Sequence, residues 1–179
     1  MSMLVNKFCF KILLAGFVVT LLLAGCGGGG GGNTGGGGAT ATTATLKIVL
    51  TGNLPASTAI SGASFTLTLP ANVTPATVNG TVVTGVVSNS GTFSNSTIAP
   101  LVIYTPATTV PGALNVTLTH SAPAGITQVG EVATIILQLA NNATPTSASF
   151  GLSAENVIEA VSFNIVPGMG AGIASVTLQ

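Results

Sequence analysis

The stretch Ser64-Phe65-Thr66-Leu67-Thr68-Leu69 alternates strictly between hydroxyl-bearing and apolar side chains. Successive side chains of a β-strand point to opposite faces, so this period of two predicts a strand with one buried and one solvated face. The same alternation recurs in residues 46–50, 114–119 and 161–165. No long helical pattern interrupts these runs, and the chain is therefore predicted to be all-β after its N-terminal region.

Turn signals separate the predicted strands. Asn79-Gly80 stands between Val78 and Thr81 and predicts a two-residue β-hairpin. Residues 132–139 are apolar at most positions, which favours a central strand, and Val176 with Leu178 indicates a short closing strand. This organisation predicts a two-sheet antiparallel β-sandwich of jelly-roll type. The side chains that we expect to find buried are Phe65, Leu67, Val116, Ile135, Leu137, Phe150, Phe163 and Ile165.

The N-terminal residues have the pattern of a secretory signal. Two lysines precede a largely apolar run over residues 12–23, and small residues follow it. We expect the long helix of this segment over about residues 5–24. The ending Leu23-Ala24-Gly25-Cys26 resembles the lipobox of bacterial lipoproteins. That resemblance implies cleavage between Gly25 and Cys26, which removes a signal peptide of residues 1–25. It also implies a diacylglyceryl group on the Cys26 thiol.

The acylated Cys26 would hold the exported protein on a lipid bilayer of the bacterial cell envelope, at the outer membrane or the cell surface. Residues 27–38 are glycine except for Asn33 and Thr34, and glycine on this scale keeps its backbone freedom. The predicted organisation is therefore a signal peptide (1–25), a lipidated cysteine with a flexible Gly/Thr linker (26–44) and a β-sandwich domain (45–179).

Charge is nearly absent from the chain beyond Cys26. Lys47 is its one cation, its carboxylates are three glutamates, and neither Arg nor Asp occurs in the sequence. Nucleic acid is excluded as a partner because no basic surface could meet a phosphate backbone. With one His and no Cys in the predicted domain, a zinc site cannot be assembled, so we expect no metal and no cofactor.

The candidates for catalysis are few. His120 is the single histidine and ends the predicted strand 114–119 without an identifiable triad. Glu155 and Glu159 would share a face if residues 153–156 formed a helical turn, and paired carboxylates can hydrolyse glycosides. Glu131 is expected to flank a strand. Residues 168–172 contain three glycines but precede a strand, so they indicate a turn and no nucleotide loop. We expect a protein that is not an enzyme.

The aromatic residues argue against a planar polysaccharide site. The chain has no Trp, and Tyr104 is its single tyrosine. Phe65, Phe150 and Phe163 fall on apolar faces, which leaves Tyr104 and Phe93 as the rings that could stack on sugars.

Several stretches together resemble cohesin modules and the wider β-sandwich superfamily that includes cellulose-binding modules. They are the opening strand 46–50, the run 61–70, the start Gly130-Glu131-Val132-Ala133-Thr134-Ile135 of the strand over 130–139, and residues 149–152. The resemblance implies a non-catalytic cohesin-like domain for protein docking or surface assembly, with a dockerin-like protein as the implied partner. The alternative that it implies is a module that binds a polysaccharide.

Overall fold

A computed structural model of the protein describes residues 40–108 and 111–179. The predicted signal helix, the lipobox with Gly25 and Cys26, and most of the predicted linker lie outside the described residues. The strands of the described residues are Thr43–Thr51 (β1), Ile60–Thr68 (β2), Val73–Pro75 (β3), Thr77–Val78 (β4), Thr81–Val82 (β5), Val87–Asn89 (β6), Leu101–Thr105 (β7), Ala113–Thr119 (β8), Glu131–Leu139 (β9), Gly151–Glu159 (β10) and Gly170–Leu178 (β11).

The strands form two main antiparallel sheets and one small hairpin. The first sheet has the order β11-β1-β9-β3, and β6 also pairs with β9. The second sheet has the order β10-β2-β8-β7. The helical elements of the described residues are two 3₁₀ turns, Gly91–Phe93 and Ser147–Ser149. The predicted all-β, antiparallel class is therefore confirmed for this part of the chain.

One hydrophobic core receives side chains from both main sheets. In β1 the buried side chains are Ala44, Leu46, Ile48 and Leu50, while Lys47 is exposed. β8 of the other sheet shows the same alternation, with its leucines and valine buried and its threonines and asparagine exposed. The period of two in the sequence thus separates core from solvent as predicted, and the arrangement is consistent with a β-sandwich.

Strand β9 occupies the central position that its apolar sequence predicted. Its residues 131–138 pair with β1 on one side. On the other side, residues 137–139 pair with β3 and residues 133–135 pair with β6. Along this edge, β9 therefore pairs with two short strands in succession, β6 and β3.

The predicted hairpin at Asn79-Gly80 is confirmed. It joins β4 to β5, and its two central residues have φ values of 51° and 79°. Two consecutive positive φ angles are the requirement of a type I′ turn, and Asn-Gly meets it at low steric cost.

The prediction of a strand over residues 161–165 is wrong. β10 ends at Glu159, and a turn follows in which Phe163 has a φ of 57°. The N–H of Glu159 donates to the Asn164 carbonyl, and the N–H of Phe163 donates to the Glu159 carbonyl. Phe163 is 72% exposed and Ile165 is 56% exposed, so their predicted burial is wrong, whereas the other six predicted core residues are buried.

Two further expectations change in this part of the chain. Residues 153–156 form no helical turn, because they belong to β10, whose pairing with β2 is interrupted by a bulge at Ala154 with a φ of 50°. The closing strand is longer than predicted and begins at Gly170. At the other end, β1 begins at Thr43, so it includes two residues that the sequence assigned to the linker.

Candidate binding face and groove

The solvent side of the four-stranded sheet presents an uncharged surface. Cross-strand pairing arranges its side chains in rows that run across β10, β2, β8 and β7. We call this surface the outer sheet face and define it by two central rows, Asn156–Ser64–Thr117–Leu101 and Ser153–Thr66–Asn115–Ile103. Hydroxyl and amide groups dominate it, so the face is polar without carrying charge.

Two features give the outer sheet face its character. The Oγ1 atom of Thr66 donates a 2.7 Å hydrogen bond to Oδ1 of Asn115 across β2 and β8, which orders two polar side chains at its centre. On the edge strand β7, Leu101 is 62% exposed and Ile103 is 57% exposed. The face therefore combines an ordered polar centre with an apolar margin.

A groove of about 590 Å³ indents one end of this sheet. The adjoining row reads Ile158–Gly62–Thr119, so the middle position has no side chain. The groove is lined on the β10 side by Ile158, Ala160 and Phe163, on the β2 side by residues 61–64, and on the β8 side by residues 117–123. The groove thus includes a position of the sheet that carries no side chain, between two neighbours that do.

His120 follows the end of β8, as the sequence predicted, and lines this groove. Its backbone N–H donates to the Ser61 carbonyl at 2.7 Å, and its Nδ1 accepts a hydrogen bond from the Ala122 N–H at 3.2 Å. The ring also contacts Phe93 edge to face, with 5.4 Å between centroids. Because Nδ1 is an acceptor, the neutral imidazole carries its proton on Nε2. Among the described residues no carboxylate is hydrogen-bonded to this imidazole.

The aromatic residues are distributed differently from the sequence prediction. Phe93, one of the two rings expected to be available to a sugar, is fully buried in the core. Tyr104 is half-buried and packs against the core from β7. Phe163, predicted to be buried, is instead the large exposed aromatic ring beside the groove.

The two glutamates considered as a hydrolytic pair make separate local contacts. Oε2 of Glu155 accepts a hydrogen bond from the backbone N–H of Ala171 at 3.0 Å. The Glu159 carboxylate accepts one from the Ser162 hydroxyl in the turn that follows β10. The helical turn that would have aligned the two carboxylates is replaced by a bulged strand, so the argument for a catalytic pair loses its geometric basis.

Glu131 begins β9, as expected of a residue that flanks a strand, and it pairs with Lys47 of β1. The Lys47 Nζ atom lies 2.8 Å from Oε2 of Glu131, and Thr134 donates to the other carboxylate oxygen. The Lys47 ammonium holds the pKa of the Glu131 carboxyl below its ordinary value. This ion pair joins neighbouring strands and lies outside the groove.

The described residues contain no group of three or more His, Cys, Asp or Glu side chains that could hold a metal ion. The glycines of residues 168–172 form a turn at Pro167-Gly168 and then enter β11, which agrees with the sequence interpretation of a turn before a strand. Within residues 40–108 and 111–179, no helix has the length and apolar character needed to cross a membrane.

Comparison of the chain with protein-family models, with curated proteins and with solved structures finds no match. The functional argument therefore rests on the residues themselves.

Sequence reasoning missed three features of the candidate site: the exposure of Phe163, the gap at Gly62, and the apolar margin at Leu101 and Ile103. Signals in the sequence bear on the first two of them. Ser162 and Asn164 flank Phe163, and both residue types favour turns. Gly62 stands next to an alternating run, and a glycine in a strand often marks a close approach or a gap.

Proposed function

We propose that this protein is a bacterial lipoprotein, anchored through an acylated Cys26, whose cohesin-like β-sandwich of jelly-roll type binds a protein partner without catalysis. The sequence supports the anchor through the lipobox ending at Cys26 and the glycine-rich linker behind it. A flexible tether of this kind would let the domain reach a partner away from the lipid surface. In this proposal the domain serves docking or surface assembly.

The observation that carries the docking proposal is the uncharged outer sheet face with its apolar margin. Protein interfaces combine a core depleted in charge with polar groups that form hydrogen bonds. The exposed side chains of Leu101 and Ile103 offer apolar area, and Thr66 with Asn115 offers donors and acceptors beside it. Since Lys and Glu are absent from the two central rows, a contact made there should depend only weakly on ionic strength.

Site-specific photo-crosslinking in the source bacterium tests this proposal. A photoreactive amino acid at position 103 should give a defined crosslinked species with one envelope protein. The matched control is the same amino acid at position 136, because Ile136 is also an exposed isoleucine, at 44%, but lies on β9 in the other sheet. Crosslinks of equal yield at both positions, or none at position 103, would contradict docking through the outer sheet face.

A second candidate function is carbohydrate binding, and the exposed ring of Phe163 favours it. Flat polysaccharide surfaces are usually bound by several coplanar rings, whereas Phe163 is the one phenylalanine of the described residues that is largely exposed. We therefore expect no strong binding of the full chain to cellulose or chitin. Sedimentation with these insoluble polysaccharides separates the two candidates, since retention of the chain in the pellet would favour the carbohydrate-binding function.

A further inference from the structure

The geometry points to a second site on this protein, at the end of the outer sheet face: the groove beside Gly62 binds a single ring of a neutral sugar. In this site the ring stacks on Phe163 and forms hydrogen bonds with hydroxyls of Ser64, Thr117 and Thr119. The groove shares Ser64 and Thr117 with the outer sheet face. The inference nevertheless does not depend on the docking proposal, because Phe163 and Thr119 lie outside the two central rows and the ligand is a small molecule.

The groove has the dimensions and the construction of a small-ligand site. Its volume of about 590 Å³ falls within the range of roughly 300–1,000 Å³ that is usual for such sites. Gly62 lines the groove, and this position resists enlargement. A Cβ atom added to Gly62 would lie 2.8 Å from the Leu118 carbonyl oxygen, so the neighbouring strand would have to shift to accept one.

Phe163 supplies an apolar wall that is held in an unusual conformation. A bulky residue with a φ of 57° is a backbone outlier, and such outliers concentrate at functional sites. The turn maintains this conformation through the hydrogen bonds between Glu159, Phe163 and Asn164. The result is a ring at the mouth of the groove that is 72% exposed and does not belong to the hydrophobic core.

The remaining groups around the groove are polar and available. Within the described residues, no hydrogen bond to another protein group engages the hydroxyls of Ser64, Thr117 or Thr119. The Nδ1 atom of His120 is occupied by the Ala122 N–H, which leaves the opposite nitrogen as a donor in the neutral ring. The groove therefore offers several donors and acceptors beside one aromatic surface.

These groups select a neutral ligand that is apolar on one face and hydroxylated at its edge. None of the residues that line the groove is Asp, Glu, Lys or Arg. No side chain there could therefore neutralise the charge of an ionic ligand. An apolar peptide side chain could pack on Phe163, but it would cover the free hydroxyls without satisfying them, which is unfavourable. A pyranose ring can do both, because its C–H face packs on the phenyl ring while its hydroxyls reach the threonines.

The presence of one exposed aromatic ring also limits how many sugar units the groove can bind. A single exposed ring accommodates one sugar unit, such as the end of a soluble glycan, and offers no extended platform for a crystalline chain. This site is therefore compatible with weak or absent binding to cellulose and chitin.

Nuclear magnetic resonance titration of the full chain tests this inference. The chain is kept in a detergent without a sugar headgroup, so that the detergent cannot occupy the groove. The probes are the methyl pyranosides of glucose, galactose, mannose and N-acetylglucosamine at millimolar concentration, with acyclic sorbitol as a control that has hydroxyls but no ring. We expect at least one pyranoside to bind and sorbitol not to bind.

Matched variants assign the binding to the groove. Phe163→Ala should weaken the binding about tenfold or more, because it removes the stacking surface. Val161→Ala is the control, since Val161 is 82% exposed in the same turn but does not line the groove. Thr117→Val removes a hydroxyl at nearly constant volume and should also weaken binding, which keeps the test valid if Phe163→Ala alters the turn.

Two results would overturn the inference. They are the absence of binding by every pyranoside, and pyranoside binding that Phe163→Ala and Thr117→Val leave unchanged. The outcome is separable from that of the docking proposal, because the crosslinking experiment uses position 103 and needs no sugar.

Discussion

Oε2 of Glu155 accepts a hydrogen bond from the backbone N–H of Ala171 at a distance of 3.0 Å. Glu155 lies on β10, an edge strand of the four-stranded sheet, and Ala171 lies on β11, an edge strand of the five-stranded sheet. The bond therefore joins the two sheets at one side of the fold. It also occupies a strand-edge N–H, which is the kind of group that recruits other strands when it is left open.

Removing the Glu155 carboxylate should reduce the stability of the folded protein, because the contact between the two sheets is lost. We expect Glu155→Ala to lower the free energy of unfolding by about 1–2 kcal/mol, since a hydrogen bond to a charged group is lost at a partly buried position. Glu155→Gln keeps an acceptor oxygen and should lose less. Urea denaturation followed by circular dichroism measures both values. Equal stability of the Ala variant and the native chain would show that the contact contributes nothing.

Truncation of two phenylalanines should change the free energy of unfolding by very different amounts. Phe65 is 2% exposed at the centre of the core, so Phe65→Ala should cost about 3–5 kcal/mol of unfolding free energy. Phe163→Ala should change it by less than about 0.5 kcal/mol because the ring is mostly in solvent. Thermal and urea unfolding of the two variants check this. A large loss from Phe163→Ala would mean that the turn ring supports the fold.

The Lys47–Glu131 ion pair should make a small, pH-dependent contribution to stability. The folded-state pKa of Glu131 is lowered from 4.5, so its stabilisation is present above that pH and is lost as the pH falls through the lowered value. Both side chains are partly exposed, which limits the contribution to about 1 kcal/mol or less.

The variant Glu131→Gln isolates this effect. The difference in unfolding free energy between the native chain and the variant should be largest near about pH 7 and should shrink toward about pH 3. Lys47→Met serves as the control, because it removes the ammonium that lowers the pKa and should reduce the same pH dependence. A difference that grows on acidification would contradict this assignment.

The lipid anchor predicts a clear change in localisation. Cys26→Ala removes the thiol that would accept the diacylglyceryl group, so the variant should leave the membrane fraction or accumulate unprocessed. Buried acyl chains contribute about 0.8 kcal/mol for each CH₂ group, which is why two or more chains hold a protein stably on a bilayer. Cell fractionation with immunoblotting measures the distribution. A variant that sediments with membranes as the native chain does would refute the lipoprotein proposal.

The sequence predicted strands well where alternation coincided with long-range pairing. β2 and β8 pair over seven consecutive positions, from Gly62–Thr119 to Thr68–Ala113, and their apolar phase is buried throughout. Residues 161–165 show the same alternation and failed, because the pairing of β10 ends before them and a turn reverses the chain. Periodicity reports which side chains could share a face, but a partner strand decides whether that face exists.

The candidate site was less predictable than the strands for the same reason. The groove requires Gly62 of β2 to lie between Ile158 of β10 and Thr119 of β8, three positions that are distant in sequence. Phe93 was considered free for binding, yet the 3₁₀ turn that carries it packs its ring into the core beside His120. Gly62 is a local signal for a gap, but its position between these two strands and the burial of Phe93 leave no local signal in the sequence.

By itself the amino-acid sequence determined the all-β class, the strand phases and the Asn79-Gly80 hairpin, because these follow from side-chain alternation and from the φ angles that each residue tolerates. It also determined that the outer sheet face would be polar and uncharged, since few charged residues exist to occupy it. The tertiary structure alone decided that Phe163 is exposed, that Glu155 joins two sheet edges, and that Gly62 and Phe163 line one groove. These outcomes depend on bulges and strand registers, which arise when distant segments pair and pack against each other.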